Sequence, residues 1–191
     1  MTANRTVWPD DRPMTVEDLN RLPGEGSRYE LDDGLLVVTP PPANIHQLVT
    51  SRLQTLLDSS CPPEYLVISG NGVEISNTQY RITDLIVMLA DQYEATGTST
   101  KRPPVLAVEV ASPSTAIYDR NRKKEVYVGF GIESYWIVTP SLDKPRLLAF
   151  ELQRGSYRQI ADFSGDEQFE AGRPFPVTIV PSTLVAGPWQ R

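Results

Sequence analysis

Two acidic residues stand in otherwise apolar segments of the chain, where a charge needs a partner. Asp84 falls within residues 80–89, and Glu109 falls within residues 105–111. Runs of valine, isoleucine and leucine of this length predict strands that are buried on both faces. An ionised carboxylate in such a place is strongly destabilising unless a cation or strong hydrogen-bond donors compensate it. Two of them predict one shared partner, most simply a divalent metal ion with oxygen ligands.

Each acid taken alone also has a simpler explanation. Asp84 or Glu109 could lie near the end of its strand in contact with water, or could pair with an arginine. Both explanations stay open for each residue individually. They account less well for two acids in two separate apolar segments.

The composition is that of an ordinary globular protein, with 40% hydrophobic and 22% charged residues in a chain of 191. A chain of this length buries about 70% of its unfolded surface, which is enough to enclose a polar site. The sequence shows no membrane-span-length apolar run and no signal-peptide core, so we expect a cytoplasmic protein. Cys61 is the single cysteine, which excludes an internal disulfide and a zinc motif.

The charge distribution bears on nucleic-acid binding. The net charge of −6 argues against a broad basic face, although it leaves a local groove open. Basic residues concentrate at Arg120, Arg122, Lys123 and Lys124. A run of this kind is also typical of a solvated helix face.

Turn residues and hydrophobic periodicity divide the chain into helices and strands. Helices are predicted at residues 14–22, with Thr15 as the cap, at 43–58, and from 112–114 to about Phe130. Strands are predicted at 28–31, 35–38, 65–69, 73–75, 81–89, 105–110, 134–138, 146–152, 157–163 and 176–180. The strand–helix–strand unit from 105 to 138 implies a parallel crossover. The predicted fold is therefore α/β, a mixed central sheet flanked by helices with extra antiparallel strands.

The helix that follows the Glu109 strand carries Lys123 about eight residues from its start, or ~12 Å along its axis. Because this helix runs back alongside the strand, the lysine could reach Glu109 and neutralise a developing phosphoryl oxyanion. The alternative is a surface ion pair with Asp119 at i, i+4 spacing, which the spacing alone favours.

Two further polar residues have open assignments. Glu30 alternates with Tyr29 and Leu31 in the first predicted hairpin, so it faces either solvent or a cleft. His46 is the single histidine and cannot form a histidine-based metal site, so a polar contact suffices to explain it. No G-x-S-x-G motif is present, which argues against a Ser-His-Asp hydrolase.

Together these residues resemble the Uma-two branch of the restriction-endonuclease-like PD-(D/E)XK superfamily. The matching segments are 28–34, 40–42 followed by His46-Gln47, 83–85, 108–115, 119–123 and 133–138. The segment Glu-Val-x-Ser-Pro-Ser-Thr, followed by Asp-Arg and Lys, is the most specific of them. The resemblance implies a single nuclease-like domain over residues 1–191, with a core at about 14–154 and C-terminal strands at about 155–185.

The resemblance also implies roles for individual acids. Asp84 and Glu109 match the two metal-binding acids of the superfamily, and the backbone carbonyl of Val110 would be the third protein ligand. Glu30 matches an extra N-terminal acid. His46 and Arg120 are the candidate substrate contacts.

The chain departs from the superfamily motif at two positions. Thr83 replaces a proline that is not a ligand. Ala111 occupies the usual place of the motif lysine, two residues after Glu109. In similar branches the lysine has moved to the following helix, and Lys123 occupies that place here.

The function that the resemblance implies is cleavage of DNA phosphodiester bonds by a Mg²⁺-dependent endonuclease, with Mn²⁺ as a second candidate cofactor. We expect a homodimer, because cutting both strands requires two active sites. The strands after Arg146 and the region of Trp136 are the expected dimer surface. The alternative is a catalytically weak or inactive nuclease-fold protein that acts as a dimeric nucleic-acid-binding or regulatory module. The acidic balance and Ala111 favour that alternative.

Overall fold

The structure is a computed structural model that describes residues 4–6, 12–23, 28–111 and 118–187, with the backbone alone at 4–6 and 118–120. The helices of this part are α1 (Val16–Leu19), α2 (Asn44–Ser60), α3 (Tyr118–Phe130) and α4 (Pro181–Val185). The strands are β1 (Asn4–Thr6), β2 (Arg28–Asp32), β3 (Leu35–Thr39), β4 (Tyr65–Ser69), β5 (Gly72–Ser76), β6 (Gln79–Ile82), β7 (Leu85–Leu89), β8 (Ser99–Thr100), β9 (Leu106–Val110), β10 (Ser134–Thr139), β11 (Arg146–Gln153), β12 (Ser156–Ser164), β13 (Phe169–Ala171) and β14 (Val177–Ile179). Among these described helices, none has the length and apolar character needed to cross a membrane.

The strands form two six-stranded sheets. The first sheet has the order β1-β3-β2-β6-β5-β8 and the second has the order β12-β11-β10-β9-β7-β4, while β13 and β14 pair separately. In the second sheet β9 and β10 are parallel, whereas β7 and β9 are antiparallel. The chain between β9 and β10 includes α3, as the strand–helix–strand pattern predicts. The α/β class with a mixed sheet is confirmed. The division into two large sheets was not predicted from the sequence.

The strand predicted at residues 81–89 is wrong as a single element. β6 ends at Ile82 in the first sheet, and β7 begins at Leu85 in the second. Between them, the Thr83 N–H donates to the Asn71 carbonyl (3.1 Å), and the Asp84 carbonyl accepts from the Gly70 N–H (3.0 Å). Asp84 therefore lies where the chain passes from one sheet to the other, and not inside a strand. The apolar run continues across this passage because the residues on both sides of it are buried.

The hairpin of β2 and β3 depends on its two turn residues. Asp33 and Gly34 have φ values of 51° and 79°, which are the left-handed conformations that a two-residue hairpin turn requires. A Cβ on Gly34 would lie 2.4 Å from the Cβ of Pro13, so glycine is needed there for space as well. The predicted hairpin is confirmed, and its register sets Glu30 opposite Val37.

Other helices and strands begin or end at residues that differ from the predicted ones. The first helix spans only Val16–Leu19, with a capping box between Thr15 and Asp18. The helix α3 ends at Phe130 as predicted, and Gly131 follows it with φ 87°. Its predicted start at 112–114 lies outside the described residues. The last predicted strand is β14, and its partner β13 is too short to stand out in the sequence.

The largest apolar cluster packs α2 against the second sheet. Val49, Leu53 and Leu57 are the fully buried residues of the helix, and they pack with residues of β7, β9 and β10. Trp136 belongs to the same cluster, is 1% exposed, and packs edge-on against Phe169 (5.6 Å). The expectation that the Trp136 region supplies a dimer surface is therefore wrong, because the indole is used in the core.

Leu53→Ala tests this packing. Leu53 is 0% exposed, so truncation leaves a cavity and should lower the free energy of unfolding by about 2–5 kcal/mol in urea denaturation. The exposed Thr55 on the same helix is the matched control, and Thr55→Ala should change it by less than ~0.5 kcal/mol. A Leu53→Ala variant as stable as the control would contradict the placement of α2.

Candidate active site

Two carboxylates lie on neighbouring segments of the second sheet, Glu109 in β9 and Asp84 in the residue before β7. Leu85 pairs with Val108 in the antiparallel register, and continuing this register by one position sets Asp84 opposite Glu109. Residues opposite each other in an antiparallel pair project to the same face of the sheet. Asp84 and Glu109 are 6% and 8% exposed. The two acids therefore share one side of the sheet, as two ligands of a single ion would have to.

Helix α3 places two donors on Glu109. The Lys123 ammonium donates to Oε2 (2.8 Å), and the Tyr127 hydroxyl donates to Oε1 (2.7 Å). These donors are four residues apart and so lie on one face of the helix. Lys123 is only 9% exposed, so it is not the solvent-facing ion-pair residue of the alternative assignment. The side chain of Asp119 lies outside the described residues.

The first sheet contributes Glu30 to the candidate active site. It is 6% exposed, and its Oε1 accepts a hydrogen bond from the Ile82 N–H (3.0 Å) and lies 3.9 Å from the Lys123 ammonium. Arg81 lies 3.6 Å from the other oxygen. Glu30 therefore faces the interior rather than solvent. Lys123 consequently stands between an acid of each sheet.

Asp84 is held by donors of three different segments. Its Oδ2 accepts from the Val110 N–H (2.8 Å) and lies 3.0 Å from His46 Nε2, while Arg28 donates to Oδ1 (3.2 Å). Burial raises the pKa of Asp84, but the His46 hydrogen bond and the nearby positive charges of Lys123 and Arg28 outweigh burial and hold it below its usual value. Asp84 is therefore an ionised carboxylate at neutral pH.

Glu109 has the opposite shift. Burial raises its pKa, repulsion from Asp84 and Glu30 raises it further, and Lys123 only partly offsets them, so that the pKa reaches about 7. Burial and the neighbouring Glu109 raise the pKa of Tyr127 well above its usual value, so the phenol keeps its proton. Two adjacent carboxyls with pKa values moved apart are typical of catalytic sites.

The donor chemistry fits a hard divalent cation. Asp84 and Glu109 offer carboxylate oxygens, and Val110 follows Glu109 with its N–H bound to Asp84. The pKa of Glu109 is raised first by burial and then by the negative charges of Asp84 and Glu30, and a cation bound beside the carboxylates would lower it. In the described part of the chain, no group of three or more His, Cys, Asp or Glu side chains is arranged to hold a metal. Two carboxylates form a ligand set of the kind that Mg²⁺ accepts, because this ion takes one or two carboxylates and keeps several waters.

A second buried ion-pair network ties α3 to the hairpin. Asp32 is 5% exposed and accepts from Arg81 (2.6 Å), from Arg122 Nε (3.0 Å) and from Gln79 (3.3 Å). Arg122 also contacts Asp33. Because Arg122 precedes Lys123 in the chain, this network anchors the helix at the point where the lysine enters the site.

Sequence reasoning missed Asp32, Arg81, Arg122 and Tyr127. Two signals were present: Asp32 lies two residues after Glu30, on the same strand face, and Tyr127 lies one helical turn after Lys123. His46, a candidate substrate contact, contacts Asp84 through its Nε2 atom, which lies 3.0 Å from Oδ2. The side chain of Arg120 lies outside the described residues.

Ala111, at the usual lysine position, is partly buried in the apolar cluster that contains Tyr127. Its methyl group packs there with the apolar part of α3. The ammonium that reaches Glu109 comes from α3 instead.

The comparisons with known proteins agree with this architecture. Over residues 16–183 the chain matches the Uma2 family, which is described as a putative restriction endonuclease. A similar solved structure is the crystal structure of a putative nuclease belonging to DUF820 from Anabaena variabilis ATCC 29413, with a TM-score of 0.69 at 16% sequence identity. The likeness covers 91% of this chain and 98% of the other, and it shows a shared fold. No curated protein matches the chain.

The raised pKa of Glu109 predicts a pH-dependent stability in metal-free buffer. Between the ordinary value of 4.5 and the folded value of about 7, the folded protein keeps a proton that the unfolded chain has released. This stabilisation is present at low pH and is lost as pH rises through 7. In urea denaturation, the parent should therefore lose stability relative to Glu109→Gln between about pH 5 and about pH 8, on the order of 3 kcal/mol at most.

The exposed Glu133 provides the control, since Glu133→Gln should follow the parent across the same pH range. Parallel stability curves for the parent and Glu109→Gln would show that the Glu109 carboxyl titrates alike in the folded and unfolded chains. The description of its surroundings would then be wrong.

Proposed function

The chain belongs to the Uma2 family, and on this basis we propose that it is a metal-dependent nuclease that hydrolyses phosphodiester bonds in DNA, with Mg²⁺ or Mn²⁺ as cofactor. The observation that carries the proposal is the buried Lys123 ammonium, 2.8 Å from Glu109 and 3.9 Å from Glu30. The chain lacks a lysine at the usual motif position, and α3 supplies one to the same carboxylate.

Asp84, Glu109 and the backbone carbonyl of Val110 would hold the ion. A bound divalent ion of this kind supplies Lewis acidity to the phosphate and to the attacking water. Tyr127 restrains the orientation of the Glu109 carboxylate by bonding one of its oxygens. The Val110 N–H and His46 restrain Asp84 in the same way, through one shared oxygen.

Lys123 would provide a fixed positive charge beside the reacting phosphate. In a site shielded from water, such a charge stabilises the extra negative charge of the transition state more strongly than it would in solution. Glu30 helps to hold the lysine in place, because its carboxylate lies 3.9 Å from the ammonium. Arg28 is partly exposed beside Asp84, where it would contact a non-reacting phosphate oxygen.

The alternative is a nuclease-fold protein that binds nucleic acid without cutting it. In its favour, each acid already has internal donors, and the net charge is −6. The convergence of Glu30, Glu109 and Lys123, with Asp84 across from Glu109, weighs against it. A buried ion pair adds little net stability, so a lysine buried beside these acids fits a charge that acts on a substrate better than a purely structural contact.

Lys123→Ala tests the proposed catalytic role. The variant should cut supercoiled plasmid at least about 100-fold more slowly than the parent with Mg²⁺ or Mn²⁺, because the transition state loses its fixed charge. Its metal affinity in calorimetry should change little, since lysine is not a ligand. Asp84→Asn should abolish cleavage and weaken metal binding as well.

Lys124→Ala is the matched control. The Lys124 ammonium lies over the ring of Phe150, 3.4 Å from its centroid, and so belongs to a different contact. The cleavage rate of Lys124→Ala should stay within about twofold of the parent rate. Full activity in Lys123→Ala would refute the assigned role, and a parent that cuts DNA with neither metal would favour the binding module.

We also propose a homodimer in solution, because cleavage of both strands of a duplex requires two active sites and a symmetric pair supplies them. Sedimentation velocity at micromolar concentration should show a single species of twice the 21.3 kDa chain mass. A monomer under these conditions would contradict the dimer and would favour a nicking or single-strand activity.

A further inference from the structure

A cleft opens beside Asp84, and one of its walls is a polar face of α2 made of Gln47, Thr50, Ser51 and Gln54. We propose that this face, called here the α2 polar face, binds the DNA strand that the candidate active site cuts. The inference rests on the proposed nuclease function and adds to it a substrate-binding surface outside the acids and the lysine.

The placement of the α2 polar face follows from helix geometry. Its residues are spaced i, i+3, i+4 and i+7 and therefore form one stripe. The core side of the same helix carries Val49, Leu53 and Leu57, which are fully buried. The cleft is also lined by Arg28 and Asp84, which are in contact with each other. A strand in this cleft would thus touch the α2 polar face and the candidate site together.

Three residues of the α2 polar face have hydrogen-bonding groups available to a ligand, whereas the Thr50 hydroxyl already donates to the His46 carbonyl (2.9 Å). Within the described part of the chain, the Ser51 hydroxyl and the Gln54 amide make no hydrogen bond. Gln47 uses one amide hydrogen, to the Pro42 carbonyl (3.3 Å). Hydroxyls and amides both donate and accept, so they can bind phosphate oxygens, sugar oxygens and base edges.

The length of the stripe sets the size of the contact. Residues 47 to 54 span ~10 Å of helix, which corresponds to about three phosphates of one strand along the axis of a duplex, at ~3.4 Å each, and to fewer nucleotides of an extended free strand. Asp58 follows Gln54 by one turn on an exposed part of the helix, and its charge would repel a further phosphate. The α2 polar face therefore fits a short stretch of a single DNA strand, either free or within a duplex.

The absence of charge on the α2 polar face makes the proposal testable. Binding through Lys or Arg releases counterions and depends steeply on salt, whereas binding through neutral groups does not. Removing the glutamines should therefore weaken DNA binding by the same factor at every salt concentration. A general loss of folding would instead lower the fraction of active protein and the apparent kcat.

The first experiment compares the double variant Gln47→Ala/Gln54→Ala with the matched double variant Thr55→Ala/Ser59→Ala, whose residues are exposed elsewhere on α2. Binding of fluorescent single-stranded and duplex DNA oligonucleotides is measured by anisotropy in Ca²⁺, and cleavage kinetics are measured in Mg²⁺. We expect Kd and KM to rise about tenfold for the glutamine variant, with kcat within about twofold and an unchanged salt slope. The control should match the parent.

The second experiment tests for tighter DNA binding, a change that a loss of folding cannot produce. Gln54→Lys should tighten DNA binding at low salt and steepen the slope of log Kd against log salt by about 0.7–0.9. Ser59→Lys adds the same charge away from the cleft and should change the slope much less. These changes should appear with either the single-stranded or the duplex oligonucleotide. The oligonucleotide that shows them identifies the form in which the strand is bound.

The outcomes separate the two proposals. If the parent cuts DNA but the glutamine variant and Gln54→Lys behave like their controls, the α2 polar face is not a binding surface and the nuclease function stands. If the parent neither binds nor cuts either oligonucleotide, both proposals fall.

Discussion

The arrangement of the site depends on the burial of the Lys123 ammonium between acids of two sheets. An ammonium removed from water is strongly destabilising unless carboxylates are placed around it, and a carboxylate removed from water has the converse requirement. Lys123 has Glu109 of the second sheet at 2.8 Å and Glu30 of the first at 3.9 Å. The position of α3 is therefore coupled to both sheets. A shift of any one of the three elements would leave a buried charge without its partner.

The passage of the chain between the sheets explains why the acids converge. β6 and β7 belong to different sheets, and Asp84 lies between them, where its carboxylate can accept the Val110 N–H and face Glu109. The ion pairs of Asp32 with Arg81 and Arg122 then join the first hairpin to α3. These buried ion pairs add little net stability, because the desolvation of the charges offsets much of their attraction. Their value lies in fixing the geometry, since few other arrangements satisfy all of the charges.

Much of this could be predicted from residues whose local pattern has one physical explanation. Asp33-Gly34 specifies a tight hairpin turn, and the apolar stripe of α2 specifies a core helix. Two acids in apolar segments predict a shared site, and the ion that they would hold stays a prediction. The break in the strand predicted at 81–89 could not be seen, because an apolar run looks the same whether or not the chain changes sheets within it. The role of Asp32 was hidden for another reason. Its partners Arg81 and Arg122 are distant in sequence, and only the folded chain shows that they meet.

Asp84 and Glu109 are proposed to hold one divalent ion while Lys123 stays inside the site as its fixed positive charge. The most direct test is a crystal structure of the protein with Mn²⁺, using the anomalous scattering of the metal to locate it. We expect one strong anomalous peak in contact with both carboxylates, with the Lys123 ammonium still buried and within hydrogen-bond distance of Glu109. A peak elsewhere with the carboxylates unoccupied, or a Lys123 side chain extended into solvent, would contradict the claim.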